Sequence, residues 1–143
     1  MPTYVVTTHQ NRLDATQKQS VVNAISQIHS EEGGNVPQYL VQVIFKSVEE
    51  GSWFINKQLV PKDQIWVRGD IRAGRSDEQK TRMCERMMNE CAAAVGMERS
   101  YWWIYICDAD KTAEFGSVLP KPGEEDAWVK GLGKEVRDRY GLY

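Results

Sequence analysis

The residue types best suited to proton transfer and anion binding in this 143-residue chain fall at five places. The first is Met1-Pro2, followed at once by the strand-like run Tyr4-Val5-Val6-Thr7-Thr8. An initiator Met is normally trimmed when the next residue is as small as proline. Trimming would leave Pro2 with a free secondary amine, which can act as acid, base or nucleophile, whereas an internal proline nitrogen does not titrate. A retained Met1 would lock that nitrogen into an amide. The second place is Arg72-Ala-Gly-Arg75, where two guanidiniums can gather near the start of a capped helix. Helix N-termini favour anions, and guanidinium adds bidentate geometry matched to a carboxylate.

His29, Tyr105 and Glu114 complete the set. His29 stands four residues after Ile25 and seven after Val22, at the border of an apolar helix face. A half-buried structural histidine is the ordinary role there. Tyr105 shares a strand face with Trp103 and Cys107, where aromatic residues are usually core. Glu114 lies in the turn-like segment Thr112-Ala-Glu-Phe-Gly116, where an exposed carboxylate needs no function. Each is ordinary when taken singly.

Composition narrows the classes. The chain has 41% hydrophobic and 27% charged residues, ordinary for a soluble domain, and a formal net charge of −2 that gives a nucleic-acid role no support. No segment is apolar enough to span a bilayer, and the start lacks the pattern of a signal peptide, so no membrane role and a cytoplasmic location are expected. Cys84, Cys91 and Cys107 form no C-x-x-C arrangement, and the first two fall on one predicted helix face, which reads as reduced core thiols. With only His9 and His29 and no ligand spacing, no metal or other cofactor is expected.

The elements that position these residues follow from pattern. Residues 3–8 read as a strand. Asp14-Ala-Thr-Gln17 and Ser76-Asp-Glu-Gln79 are capping boxes, each opening a helix. The first helix carries Val21, Val22, Ala24, Ile25 and Ile28 and stops near Gly33-Gly34. The second carries Met83, Cys84, Met87, Met88, Cys91, Ala94 and Val95, with Gly96 just past its end. Further strands are expected at Tyr39–Phe45, buried on most of both faces, from Ile65, and over Tyr101–Cys107, with a short extended piece at Trp53–Ile55. A Phe115-Gly116 turn and one short helix from about Glu124 make up the tail.

A shift of 62 positions lays Asp14 on Ser76, Gln17 on Gln79, Ile25 on Met87 and Tyr39 on Tyr101. The coincidence implies a duplicated β-α-β unit within one domain spanning 1–143, with units at about 2–47 and 64–108 and an extension over 109–143. Two such units give an α/β (α+β) fold, a four-stranded sheet with two helices on one face. Trp102, Trp103, Tyr105 and Ile106 are too apolar for the other face to meet water, so other subunits are expected to cover it.

In order along the chain, Pro2, His29, Tyr39–Phe45, Ile71-Arg-Ala-Gly-Arg75, Trp103-Ile-Tyr105, Glu114-Phe-Gly116 and Pro122-Gly-Glu-Glu125 resemble the cis-3-chloroacrylic acid dehalogenase group of the tautomerase superfamily, nearest its hydratase/decarboxylase members. The resemblance implies a homotrimer of fused β-α-β pairs. It implies Pro2 as the catalytic amine, His29, Arg72 and Arg75 binding the substrate carboxylate, and Tyr105 and Glu114 positioning and activating water. A shorter loop before Glu114, Phe115 in place of the group's Tyr and the bulky Trp53-Phe54 are departures that bear on which substrate is taken. The implied chemistry is hydration or dehalogenation of small α,β-unsaturated acids, with decarboxylation as a further step. Keto–enol tautomerisation of 2-oxo acids is the enzymatic alternative, and a non-catalytic oligomeric binding protein is the alternative from another class.

Overall fold

The computed structural model describes residues 1–143. Four strands form the main sheet: β1 (Thr3–His9), β2 (Gln42–Val48), β5 (Ile65–Arg72) and β6 (Trp102–Ala109), in the order β2-β1-β5-β6. β1 and β2 run parallel, as do β5 and β6, whereas β1 and β5 meet antiparallel at the centre. Each parallel pair needs a crossover, supplied by an 18-residue helix: α1 (Ala15–Glu32) and α2 (Asp77–Ala94). Asp14 and Ser76 close the expected capping boxes on the two helices, each reciprocated by the Gln at the third helical position.

The period-2 pattern of β1 and β5 sends Tyr4, Val6, Val67 and Ile71 to the helix side. There they meet Val21, Ile25 and Ile28 of α1 and Met83, Met87 and Cys91 of α2, all fully buried. Each such aliphatic side chain contributes about 1.5–3 kcal/mol on leaving water. On β6, Trp102 turns inward and is buried, while Trp103 and Tyr105 on the outward face stay 42% and 48% exposed.

β2 differs from the sequence expectation. Pro37 leads into a 3-10 turn over Gln38–Leu40, so the strand starts at Gln42 and not at Tyr39. It is an edge strand: Val43 and Phe45 reach the core, while Gln42, Ile44 and Lys46 are exposed. It is not buried on both faces.

Two small hairpins and two short helices complete the chain. β3 (Phe54–Ile55) pairs with β4 (Gln58–Leu59), and β7 (Ala113–Glu114) with β8 (Ser117–Val118). Phe115 and Gly116, with φ of 53° and 79°, make the tight turn of the second hairpin. A Phe in the left-handed region is held by its neighbours, with ring centroids 4.8 Å from Tyr140 and 5.8 Å from Trp128. The tail forms two helices where one was expected, α3 (Glu125–Gly131) and α4 (Lys134–Tyr140). With Leu40 they build a second small core of Val129, Leu132 and Leu142, against which Met1, Phe115 and Trp128 pack. The extension thereby closes over the sheet end where β1 begins. No helix is long and apolar enough to cross a membrane.

Candidate active site

The antiparallel register at the sheet centre pairs Thr3 with Asp70, which brings the start of the chain beside Arg72 at the end of β5. α1 ends at the same place, and its last turn presents His29. Met1, Pro2, His29, Arg72, Arg75 and Glu125 line one cavity there. Its free space is about 10 Å³, room for about one water while Met1 is in place.

Glu114 reaches this end from the β7–β8 hairpin and forms an ion pair with the Met1 ammonium group. Burial lowers the pKa of that amine, and Glu114 pulls it back upward by hydrogen bonding and charge. The amine is that of Met1, so it stands in for the Pro2 amine of a trimmed chain, one residue further along.

The two arginines take partners other than the start of α2, where the Ser76 capping box already serves the free N–H groups. Arg72 donates to the Pro120 carbonyl and pairs with Glu125. Arg75, largely buried, donates to the Arg72 carbonyl at 3.0 Å and to the Gly33 carbonyl at 3.3 Å. Burial and the neighbouring Arg72 charge both lower its pKa, which for a guanidinium leaves the charge intact. Burial alone would raise the Glu125 carboxyl. Backbone N–H groups, including that of Gly123 at 2.7 Å, and Arg72 outweigh it and hold the group below the usual carboxylate range.

His29 is fully buried, not half-buried. Its Nδ1 lies 2.6 Å from the Tyr4 hydroxyl, with the rings edge to face, and its Nε2 has no partner. Burial, reinforced by Arg75 and Arg72, depresses the imidazole pKa to about 3, so the ring is neutral at physiological pH. A neutral imidazole between two cations can donate one hydrogen bond without adding charge.

Of the residues singled out by sequence, Pro2, His29, Arg72 and Arg75 share the cavity and Glu114 touches the amine beside it. Tyr105 does not join them within one chain. It stands on the outward sheet face, 5.4 Å from the Trp66 ring, where Trp53, Trp66, Trp103 and Tyr105 line a separate apolar depression. Two residues of the site had no role assigned from the sequence, although Glu125 closes the Pro122-Gly-Glu-Glu125 motif of the resemblance. Glu125 reads locally as an acidic residue in the first turn of a helix, and Tyr4 as an inward strand aromatic. Nothing nearby marks their partners, 53 and 25 residues away. No group of three or more His, Cys, Asp or Glu side chains gathers as a metal site.

Comparison with known proteins gives a consistent set of relatives. The family model Tautomerase_3, described as "Putative oxalocrotonate tautomerase enzyme", matches residues 1–131. Among solved structures, N1, a member of the cis-3-chloroacrylic acid dehalogenase family, superposes with a TM-score of 0.88 at 26% identity, covering 99% of each chain. An F6 fused 4-OT, described as an asymmetric trimer, matches with a TM-score of 0.73 at 18% identity over 81% of this chain and 94% of its own. A Q0 fused 4-OT, described as a symmetric trimer, gives 0.68 at 20% over 78% and 89%. At these lower identities the likeness is one of fold. Among curated proteins, no sequence matches significantly.

Proposed function

Because the chain belongs to the tautomerase superfamily, within the Tautomerase_3 family, we propose that it is an enzyme adding water to small α,β-unsaturated carboxylic acids, with the amine of Pro2 as its central group. The observation that carries this reading is the meeting of a terminal ammonium with Glu114 beside a desolvated cavity that also holds two arginines and a neutral histidine. Met1 lines that cavity, so its removal would both free the Pro2 nitrogen and enlarge the space for a substrate.

The charges set the roles. A substrate carboxylate sits against Arg75, Arg72 and His29 Nε2, which draw electron density toward that end and leave C3 electrophilic. The Pro2 ammonium gives a proton to C2, and Glu114 removes a proton from the water that adds to C3. The sum is one water added across the unsaturation, and the proton on Glu114 returns to Pro2. If C3 carries chlorine, the adduct expels chloride with a proton and leaves an aldehyde. A 3-oxo acid product can go on to lose carbon dioxide.

A homotrimer completes the assignment. Ile44, Trp103 and Tyr105 on the outward sheet face are large, apolar and exposed in the single chain, and two fused 4-OT relatives are trimers. Packing this face against other copies would cover it and put Tyr105 in a subunit contact, from which we assign it to hold the water of a neighbouring copy.

Keto–enol tautomerisation of 2-oxo acids is the second reading. It is favoured by one observation, the lowering of the terminal amine's pKa by burial, because a neutral amine would act as a base. Assays with propiolate-type and 3-haloacrylic acids beside phenylenolpyruvate separate the two. Turnover of the unsaturated acids supports hydration, turnover of the enol alone supports tautomerisation, and silence on both leaves an oligomeric binding protein.

A further inference from the structure

Among the fully buried side-chain polar atoms of the cavity lining, His29 Nε2 alone lacks a partner, and the ring's other nitrogen meets Tyr4. We propose that Tyr4 is a positioning residue: its hydroxyl, seated by Gly69, holds His29 as the Nε2–H tautomer and so aims an N–H donor at the carboxylate of a substrate or ligand. The inference deepens the proposed function and rests on its carboxylate-binding step.

Two observations carry it. The Tyr4 hydroxyl has a single hydrogen-bond partner, His29 Nδ1 at 2.6 Å, in a fully buried setting. If Nδ1 carried the hydrogen and donated to Tyr4, the phenolic O–H would be left without an acceptor away from the cavity. If the phenol donates to Nδ1, the ring hydrogen sits on Nε2, and the donor left over belongs to a residue that lines the cavity, where a water or a carboxylate can accept it. Burial raises the Tyr4 pKa and lowers that of His29. The phenol therefore keeps its proton and the imidazole stays neutral.

Second, the position of the Tyr4 ring depends on Gly69. A Cβ at that position would lie 2.4 Å and 2.8 Å from two Tyr4 ring carbons and 3.2 Å from Ile106 Cδ1. Gly69 has no positive φ, so it is needed for the space it leaves and not for its backbone freedom. Gly33, past the end of α1, answers to a different contact: a Cβ there would lie 2.4 Å from the His29 carbonyl oxygen, whereas its 3.4 Å from Nε2 is ordinary van der Waals distance.

A bare Nε2 lone pair would repel a carboxylate, whereas Nε2–H attracts it. The same side chain therefore recruits or excludes the substrate according to its tautomer, and Tyr4 selects which.

The test uses the full-length protein with 15N-labelled histidine. In the unliganded wild type, His29 should show a protonated Nε2 and an acceptor-type Nδ1 signal, and titrating propionate should shift the Nε2 signal. Tyr4→Phe, which keeps the ring and removes only the oxygen, should erase this tautomer signature. It should raise KM for carboxylate substrates about tenfold, the equivalent of one hydrogen bond, with kcat much less affected. Gly69→Ala, which keeps the hydroxyl but displaces the ring, should move both readouts in the same direction. An Nδ1–H signal in wild type, a Tyr4→Phe protein with the wild-type signature, or a propionate titration that leaves Nε2 unmoved would each overturn the proposal. Propionate shifting Nε2 in a protein that hydrates no acid would sustain it while refuting the hydratase reading.

Discussion

The two β-α-β units place matching helices against one sheet, yet only one of those helices ends in a cavity with chemistry in it. At the 62-residue offset, Val21 and Ile25 of α1 correspond to Met83 and Met87 of α2, and all four are fully buried. The next buried position that the two units share is His29 in the first and Cys91 in the second, both fully buried as well. Burial affects the two in opposite ways. It keeps His29 neutral, with Nε2 unpartnered beside two arginines, and it pushes the Cys91 thiol up to about 12, leaving it inert packing. The helix ends differ in the same sense, with Gly33 capping α1 beside the imidazole and Val95 capping α2. β1 follows Met1-Pro2, whereas β5 follows the internal segment Pro61-Lys-Asp-Gln64 and has no amine to offer. The second unit contributes from the other end of its strand, through Arg72 and Arg75, because β5 runs antiparallel to β1. One fold used twice thus gives one candidate site, and few residues separate the half that presents the cavity from the half that supports it.

Acid should break the comparison most visibly. The folded His29 pKa of about 3 lies below its unfolded value of about 6.5, so the unfolded chain binds the extra proton between those values. This share of stability is complete above pH 6.5 and shrinks as pH falls, by roughly 4 kcal/mol at pH 3. Urea unfolding of wild type and His29→Gln across that range should show the shallower pH dependence in the variant, and parallel profiles would contradict the assignment. Next in size, Arg72→Ala or Arg75→Ala should lower kcat/KM for carboxylate substrates by about 10²–10³-fold, and wild-type kinetics in either would clear that residue. Glu114→Gln should slow hydration about 10²-fold while changing tautomerisation much less. Equal losses in both would remove Glu114 from water activation. The mildest contrast is the direct one between the units: His29→Gln should raise KM about tenfold. Cys91→Ala should leave KM alone and lower stability by about 1 kcal/mol in thermal unfolding. A KM change in the cysteine variant would erase the division of labour.

The sequence revealed the fold well because its signals were local. Alternation marked β1, the Asp14 and Ser76 capping boxes started both helices, and Gly96 marked the end of α2 with a positive φ. Local signals also failed locally. Pro37 diverted the apolar run Tyr39–Phe45 into a 3-10 turn before the strand could start. The segment that forms α4 is mostly charged, so Val136, Tyr140 and the flanking Leu142 were too sparse an apolar pattern to announce a helix. For the site, residue type drew attention to Pro2, Arg72 and Arg75, while His29 and Glu114 were ordinary by type and stood out only through the family resemblance. What type could not convey was pairing over distance: Glu125 with Arg72, Tyr4 with His29, and Glu114 with the amine 113 residues before it. Nor could it tell that Tyr105 faces outward, since both phases of β6 are apolar.

The most direct test is a pH titration of the Pro2 nitrogen by 15N NMR in protein labelled at proline and purified without alteration of its terminus. With Pro2 at the terminus, an amine signal that moves through a titration and responds to an added carboxylate is expected. An amide signal that stays fixed across the pH range would mean that Met1 remains in place, and would contradict Pro2 as the group around which the cavity works.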